Sequence, residues 1–261
     1  MSMDLNDLLR DWPHQPGQLQ VRKITGRDGR QKIQLRIDMG LLQMEASGRP
    51  DGQRPDGAES LLELFQTRAG EIEASGETFV LSMEELGELQ AEGIQYYHRY
   101  VAMYQLEDWR AVVRDTRRNL EMFNFVAKYA PNEEAAWSVQ QFRPYVLMMH
   151  TRAKAYLALS KDDHDSAIAQ VEKGIEKIER FLRDHQQPEL AEENPEVTVL
   201  REWLTELRKK QAPSKPPVPV SSVPVSPLER LRGEMELAVK AEQYERAAEL
   251  RDAIRALQAK R

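Results

Sequence analysis

The sequence predicts a mainly α-helical protein, a bundle of helical hairpins with a small β-hairpin in front and a separate two-helix hairpin behind. Three observations carry that reading. From about residue 58 to residue 211, apolar side chains recur at spacings of three and four over several long stretches, the period of one helix face. Between residues 18 and 39 apolar and polar residues alternate instead, on either side of Asp28 and Gly29, the pattern of two strands joined by a tight turn. A run of proline, serine and valine then sets off a short final segment. The expected divisions are 1–57 for the β-hairpin region, 58–211 for the helical body, 212–226 for a linker and 227–261 for the terminal hairpin.

Composition narrows the classes. Of the 261 residues, 31% are charged and 41% hydrophobic, and the formal net charge is -6. That sign argues against a dedicated nucleic-acid clamp but leaves local basic patches open. No stretch approaches the ~18 to 20 apolar residues of a membrane helix, and the first residues lack the basic start and apolar core of an export signal. There is no cysteine, hence no disulfide and no thiolate metal site, which fits a reducing interior. A cytoplasmic location is expected.

The front segment should pair Gln18–Thr25 with Gln31–Met39, turning Ile33, Leu35, Ile37 and Met39 inward. Arg22, Lys23, Arg27, Arg30, Lys32 and Arg36 then give the hairpin a basic outer surface. Such a surface can contact phosphate, although no aromatic side chain is interleaved for base stacking, and a solvated strand face is the plainer reading. Gly40 breaks the alternation, and Leu41, Leu42 and Met44 follow in a new phase, as at a bulge or a further strand. Two copies of Arg-Pro-Asp-Gly, 49–52 and 54–57, read as tandem turns. They could nest an anion or metal, but the spacing departs from a calcium loop, which favours a structural loop.

The body begins with a helix from about Ala58 to Ala69 and a strand-like Thr78–Leu81. Ser82 and Glu85 form a capping box for a long helix with a stripe of Leu86, Leu89, Ile94, Tyr97, Val101 and Tyr104. Asp108 should cap a helix from Trp109 to Tyr129, which stops before Pro131. Asn132 to Leu159 reads as one helix kinked at Pro144. Further helices run from about Asp165 to His185 and, capped by Asn194, to Lys210. The junctions near Tyr104 and Tyr156 share a tyrosine, a leucine, an acidic turn and an Ala-hydrophobe pair. In this they are similar to tetratricopeptide helix hairpins with lengthened helices.

The tail is the most informative stretch. Ser226 and Glu229 make a capping box with Pro227 at the first helical position. Leu228, Leu231, Met235 and Ala238 form one apolar stripe, and Tyr244, Ala247, Ala248, Leu250, Ile254 and Leu257 form the next. Gly233 weakens the first helix by about 1 kcal/mol relative to alanine. Chains below ~40 residues seldom bury enough apolar surface to fold without a disulfide, a metal or a partner, so this hairpin must pack on something else. The run Tyr244, Glu245, Ala247, Ala248, Leu250, Arg251 and Asp252, with Leu231, Met235, Ala238, Ile254 and Leu257 around it, resembles the UVR motif of the excision-repair proteins UvrB and UvrC, with similar copies in Clp-protease-associated proteins. The resemblance implies a protein-interaction element that pairs with another hairpin of its kind, its own or another protein's. The contacts would be Leu231, Met235, Ala238, Tyr244, Ala247, Ala248, Ile254 and Leu257, with Arg251 and Asp252 as a cross-partner ion pair.

No Gly-x-x-x-x-Gly-Lys-Ser/Thr phosphate loop is present, so a UvrB-type helicase engine is not expected. His14, His98, His150, His164 and His185 show no close metal spacing, and the paired glutamates sit at helix starts, where capping explains them. No catalytic, cofactor or metal residue is assigned. The expected function is a non-enzymatic interaction or adaptor protein. One alternative is a DNA-repair accessory that touches nucleic acid through the front hairpin and recruits an excision protein. Another is an enzyme with its site among the Arg-Pro-Asp-Gly turns and a helical groove.

Overall fold

The computed structural model describes residues 4–185 and 194–211, and the chain divides into two compact units, Met1–Gln211 and Ala212–Arg261. The expected linker and terminal hairpin therefore lie outside the described residues. Within the first unit the structure is mostly helical with one small antiparallel sheet.

A short helix, α1 (Leu5–Leu9), is capped by Asp4, whose carboxylate accepts from the Asn6 N–H. The sheet has the order β1 (Val21–Thr25), β2 (Gln31–Ile37), β3 (Gly40–Glu45). Its first turn depends on Gly29 at φ +74°, a backbone angle that favours glycine. The break at Gly40 is a new strand: Ile37 pairs directly with Gly40 across a two-residue turn. Ile33, Leu35 and Met44 are buried, as alternation requires. Ile37 and Met39 are not, contrary to expectation. Ile37 is the last residue of its strand and Met39 stands in the turn, 93% exposed. Gln34, expected outside, is buried because its amide accepts from Arg22 Nε at 2.7 Å and donates to Gln43 at 2.9 Å.

Helix α2 (Leu61–Ala74) starts later than expected because the Ser60 hydroxyl accepts from the Glu63 N–H, which fixes the cap there. Residues 78–81 do not form a strand. The Leu81 N–H instead donates to the Tyr129 carbonyl at 2.8 Å, and Phe79 and Leu81 insert into the core. Helix α3 (Met83–Gln105) has the capping box of Ser82 and Glu85. Its buried face is rotated from the expected stripe: Leu86 and Leu89 are buried, but Tyr96, Tyr100 and Met103 continue the face while Ile94 and Tyr97 are exposed.

Helix α4 (Trp109–Tyr129) is capped by Asp108. The single kinked helix expected over 132–159 is two helices, α5 (Glu133–Gln140), capped by Asn132, and α6 (Arg143–Leu159). Pro144 lies in the first turn of α6, where its missing N–H has no intrahelical partner to lose, so it starts a helix rather than bending one. Helices α7 (His164–Asp184) and α8 (Pro195–Gln211) follow, the latter capped by the Asn194 carbonyl-amide oxygen, which accepts from the Val197 N–H at 3.0 Å.

Helix α6 packs against α4 and α7, and α8 against α7. Gly174 on α7 lets α6 come close, since a Cβ there would meet Thr151 at 2.3 Å. One buried cluster joins Ile33, Leu35 and Met44 of the sheet to Tyr100, Met103 and Val112 and onward to α6, α7 and α8. A second joins α2 and the Phe79–Leu81 segment to α3 and α4 through Phe65, Leu89 and Phe123. Each large apolar side chain so enclosed contributes roughly 1.5–3 kcal/mol, which makes the sheet part of the helical core rather than an appendage.

Candidate functional sites

The basic face of the front hairpin is mostly engaged within the chain. Arg22 lies over the Trp12 ring, 4.1 Å from its centre, besides its bond to Gln34. Lys23 reaches Asp108 at 2.9 Å. Lys32 sits between Asp28, at 3.0 Å, and Glu45. Arg30 is 3.6 Å from Asp28, and Arg36 donates to the carbonyls of Trp12 and Gly40. Arg27 is exposed in the turn. Hydrogen bonds from Lys32 and from the Arg30 N–H hold the Asp28 carboxyl below the ordinary aspartate range. These cations act first as internal fasteners between strands, turn and α4.

The two Arg-Pro-Asp-Gly turns behave differently. Both close with a glycine at positive φ, Gly52 and Gly57. Arg49 of the first points inward, with Nε 3.2 Å from Glu92, whose side chain is fully enclosed. Glu92 also contacts Arg118 and accepts from the Leu61 N–H at 2.8 Å, so one carboxylate ties the turn, α4 and the start of α2 together. Beside it Arg99 donates two parallel bonds to Asp115, at 2.7 and 2.8 Å, and further bonds to the carbonyls of Glu45 and Gly48. Among the described residues, Arg54 of the second turn meets the exposed Glu59, at 2.5 Å. The enclosed charges are compensated, so their geometry suits fastening better than catalysis.

A cleft of about 440 Å³ opens among α3, α4, α5 and α6, lined by Ile94, Tyr97, His98, Phe142, Tyr145 and other largely apolar groups. Burial holds His98 below the usual imidazole range and pushes the Tyr100 and Tyr145 phenols upward. With no carboxylate or cationic side chain in its wall, the cleft is uncharged at neutral pH. Ile94, Tyr97 and Phe142 are the exposed apolar side chains at its mouth.

Among the described residues no three His, Asp or Glu side chains gather as a metal-binding set. His150 on α6 faces Thr116 of α4 at 2.9 Å, and burial, reinforced by Lys154, Lys177 and Arg117, holds its pKa at about 4. Nor is any helix among the described residues long and apolar enough to cross a membrane.

Sequence reasoning missed the ionic core of Glu92, Arg99 and Asp115. A signal exists: Glu92 and Arg99 fall in phase with Leu89, Tyr96 and Met103 on the buried face of α3. A charged residue at a core position calls for an opposite charge within reach.

The expected partner contacts, Leu231, Met235, Ala238, Tyr244, Ala247, Ala248, Arg251, Asp252, Ile254 and Leu257, lie outside the described residues. Residues 226–260 match the family model described as the UvrB/uvrC motif. No curated protein and no solved structure matches the chain.

Proposed function

We propose, from the UvrB/UvrC-type motif at residues 226–260, that this chain is a non-enzymatic adaptor that recruits a protein carrying a hairpin of the same kind. The motif is an interaction element, and it occupies a segment too short to bury a core of its own. That combination is the observation the reading rests on. Leu231, Met235, Ala238, Tyr244, Ala247, Ala248, Ile254 and Leu257 form the apolar seam with the partner. Arg251 and Asp252 sit at its edge, where an exposed ion pair adds only ~0–1 kcal/mol and so sets register more than affinity. Residues 212–226, rich in proline, serve as a semi-rigid spacer that lets the tail engage a partner while the first unit holds a second one. The absence of cysteine suits a reducing, cytoplasmic setting.

Pull-down from the native cell with the full chain, and with a chain ending at Lys210, tests this. The full chain recovers a protein that carries a UVR-type segment and the shortened chain does not. Recovery of the same proteins by both would sink the proposal.

The alternative repair-accessory reading assigns Arg22, Lys23, Arg27, Arg30, Lys32 and Arg36 to phosphate contact. Internal pairing of most of these cations weighs against it, because each contact with phosphate would first cost an existing bond.

A further inference from the structure

Cations without partners lie elsewhere, on the helices. Arg117 of α4 and Lys173 and Lys177 of α7 are exposed, and Lys154 of α6 is half-buried. None has an acidic partner within salt-bridge reach among the described residues, whereas Lys23, Lys32, Lys128, Arg201 and Arg208 all do. Of the acids beside the two lysines on α7, Glu176 pairs with Arg180 at 2.6 Å and Glu172 with Arg208 at 2.6 Å, while on α4 Glu121 lies one turn beyond Arg117.

Contacts between the helices bring the four cations together. The bond of Thr116 to His150 fixes α4 against α6 beside Arg117, and the close approach of Gly174 to Thr151 fixes α6 against α7 between Lys173 and Lys177. Lys154 lies one turn beyond His150 on α6. Burial, and then repulsion from Lys177, Arg117 and Lys173, holds its ammonium below the ordinary lysine range. In a chain of net charge -6, a mutually repelling cluster of this kind is an uncompensated cost that an external anion would relieve.

We propose that this face of α4, α6 and α7 binds the phosphate backbone of nucleic acid through Arg117, Lys154, Lys173 and Lys177, without reading base sequence. Packed helices lie 8–10 Å apart, so cations drawn from three of them spread over about 20 Å. That is too wide to converge on one phosphate and suits a row of them. A protein ligand fits less well. Protein interfaces have an apolar centre, and the large apolar side chains exposed among the described residues include none on α4, α6 or α7. Carboxylates elsewhere on the surface are screened beyond about 8 Å at physiological salt.

Fluorescence anisotropy of the full chain with a labelled 20-mer, as duplex DNA, single-stranded DNA and RNA, tests the proposal. Four neutralised phosphates give a slope of about -3.6 for log K against log salt on duplex, so affinity falls about 100-fold between 50 and 200 mM salt. The triple variant Lys154→Gln/Lys173→Gln/Lys177→Gln keeps one cation. Its affinity at 50 mM should drop at least tenfold, and its remaining salt effect should shrink to about threefold. Arg10→Gln/Arg54→Gln/Lys128→Gln removes equal charge from paired, exposed sites and should leave binding near that of the parent. Thermal melts confirm that both variants fold. The proposal is overturned by no binding at 50 mM salt, by binding that survives the first triple variant, or by polyglutamate or phosphatidylserine vesicles competing as well as the nucleic acid. The adaptor reading stands or falls separately, since its test removes only residues after Lys210.

Discussion

Two charged regions of the molecule, drawing on neighbouring residues of a single turn of α4, are built on opposite terms. Around Arg99 and Glu92 the charges are enclosed except at Arg114, which reaches Asp115 from the surface, and opposite charges meet inside the core. Around Lys154 like charges meet at the surface and none is answered among the described residues. The first arrangement is stable only because it is complete. Removing one member of a buried pair strands the other in a medium that solvates it poorly. The second tolerates substitution, because Arg117, Lys173 and Lys177 already stand in water. Enclosed and paired charge points to architecture, whereas exposed and unpaired charge points to a ligand. The tandem turns straddle this divide, with Arg49 reaching the enclosed region and the identically placed Arg54 remaining outside.

The largest effect is expected at Glu92. Glu92→Gln takes the enclosed carboxylate from Arg118 and leaves Arg49 with Asp51 at 3.3 Å, and should lower stability by about 3–5 kcal/mol, measured by urea denaturation. Arg49→Ala should cost less, about 1–3 kcal/mol, because Glu92 keeps Arg118 and the Leu61 N–H. If Arg49→Ala matched Arg54→Ala, the contrast between the turns would be lost.

His150 probes the open region through pH. Its pKa in the fold is about 4, against an ordinary value of 6.5. Between those values the unfolded chain takes up a proton that the folded chain does not, so stability is full above about pH 6.5 and declines as pH falls toward 4. His150→Gln should flatten that part of the melting-temperature profile, and an unchanged profile would show that other groups set it. The smallest effect belongs to Arg54→Ala, within about 0.5 kcal/mol, since both partners of its ion pair are more than half exposed.

Much of this architecture was legible in the sequence. The caps at Ser82, Asp108 and Asn194 act locally, through a side chain and a backbone N–H three residues away, and each appears where the sequence places it. Long-range choices were less legible. The face of α3 could not be phased from hydropathy because Glu92 and Arg99 belong to the core and Ile94 and Tyr97 to the cleft. Pro144 was read as a kink because the pattern alone does not show that Gln141 and Phe142 separate two helices. The basic strand face was legible as a pattern, but its partners Asp108 and Trp12 come from other elements. The unpaired cations were missed because they come from three helices and form no run in the chain. The UVR resemblance rests on a long ungapped run within 226–260, which is why the tail could be recognised where the body could not.

The central claim is that the tail segment reaches its folded form by pairing. Far-UV circular dichroism of a peptide spanning residues 226–261, recorded across a hundredfold range of concentration and with the partner recovered by the full chain, tests this directly. Helicity should be low when the peptide is dilute and alone, and should rise on self-association or on addition of the partner. A cooperative, concentration-independent melt of a monomeric peptide would contradict the account.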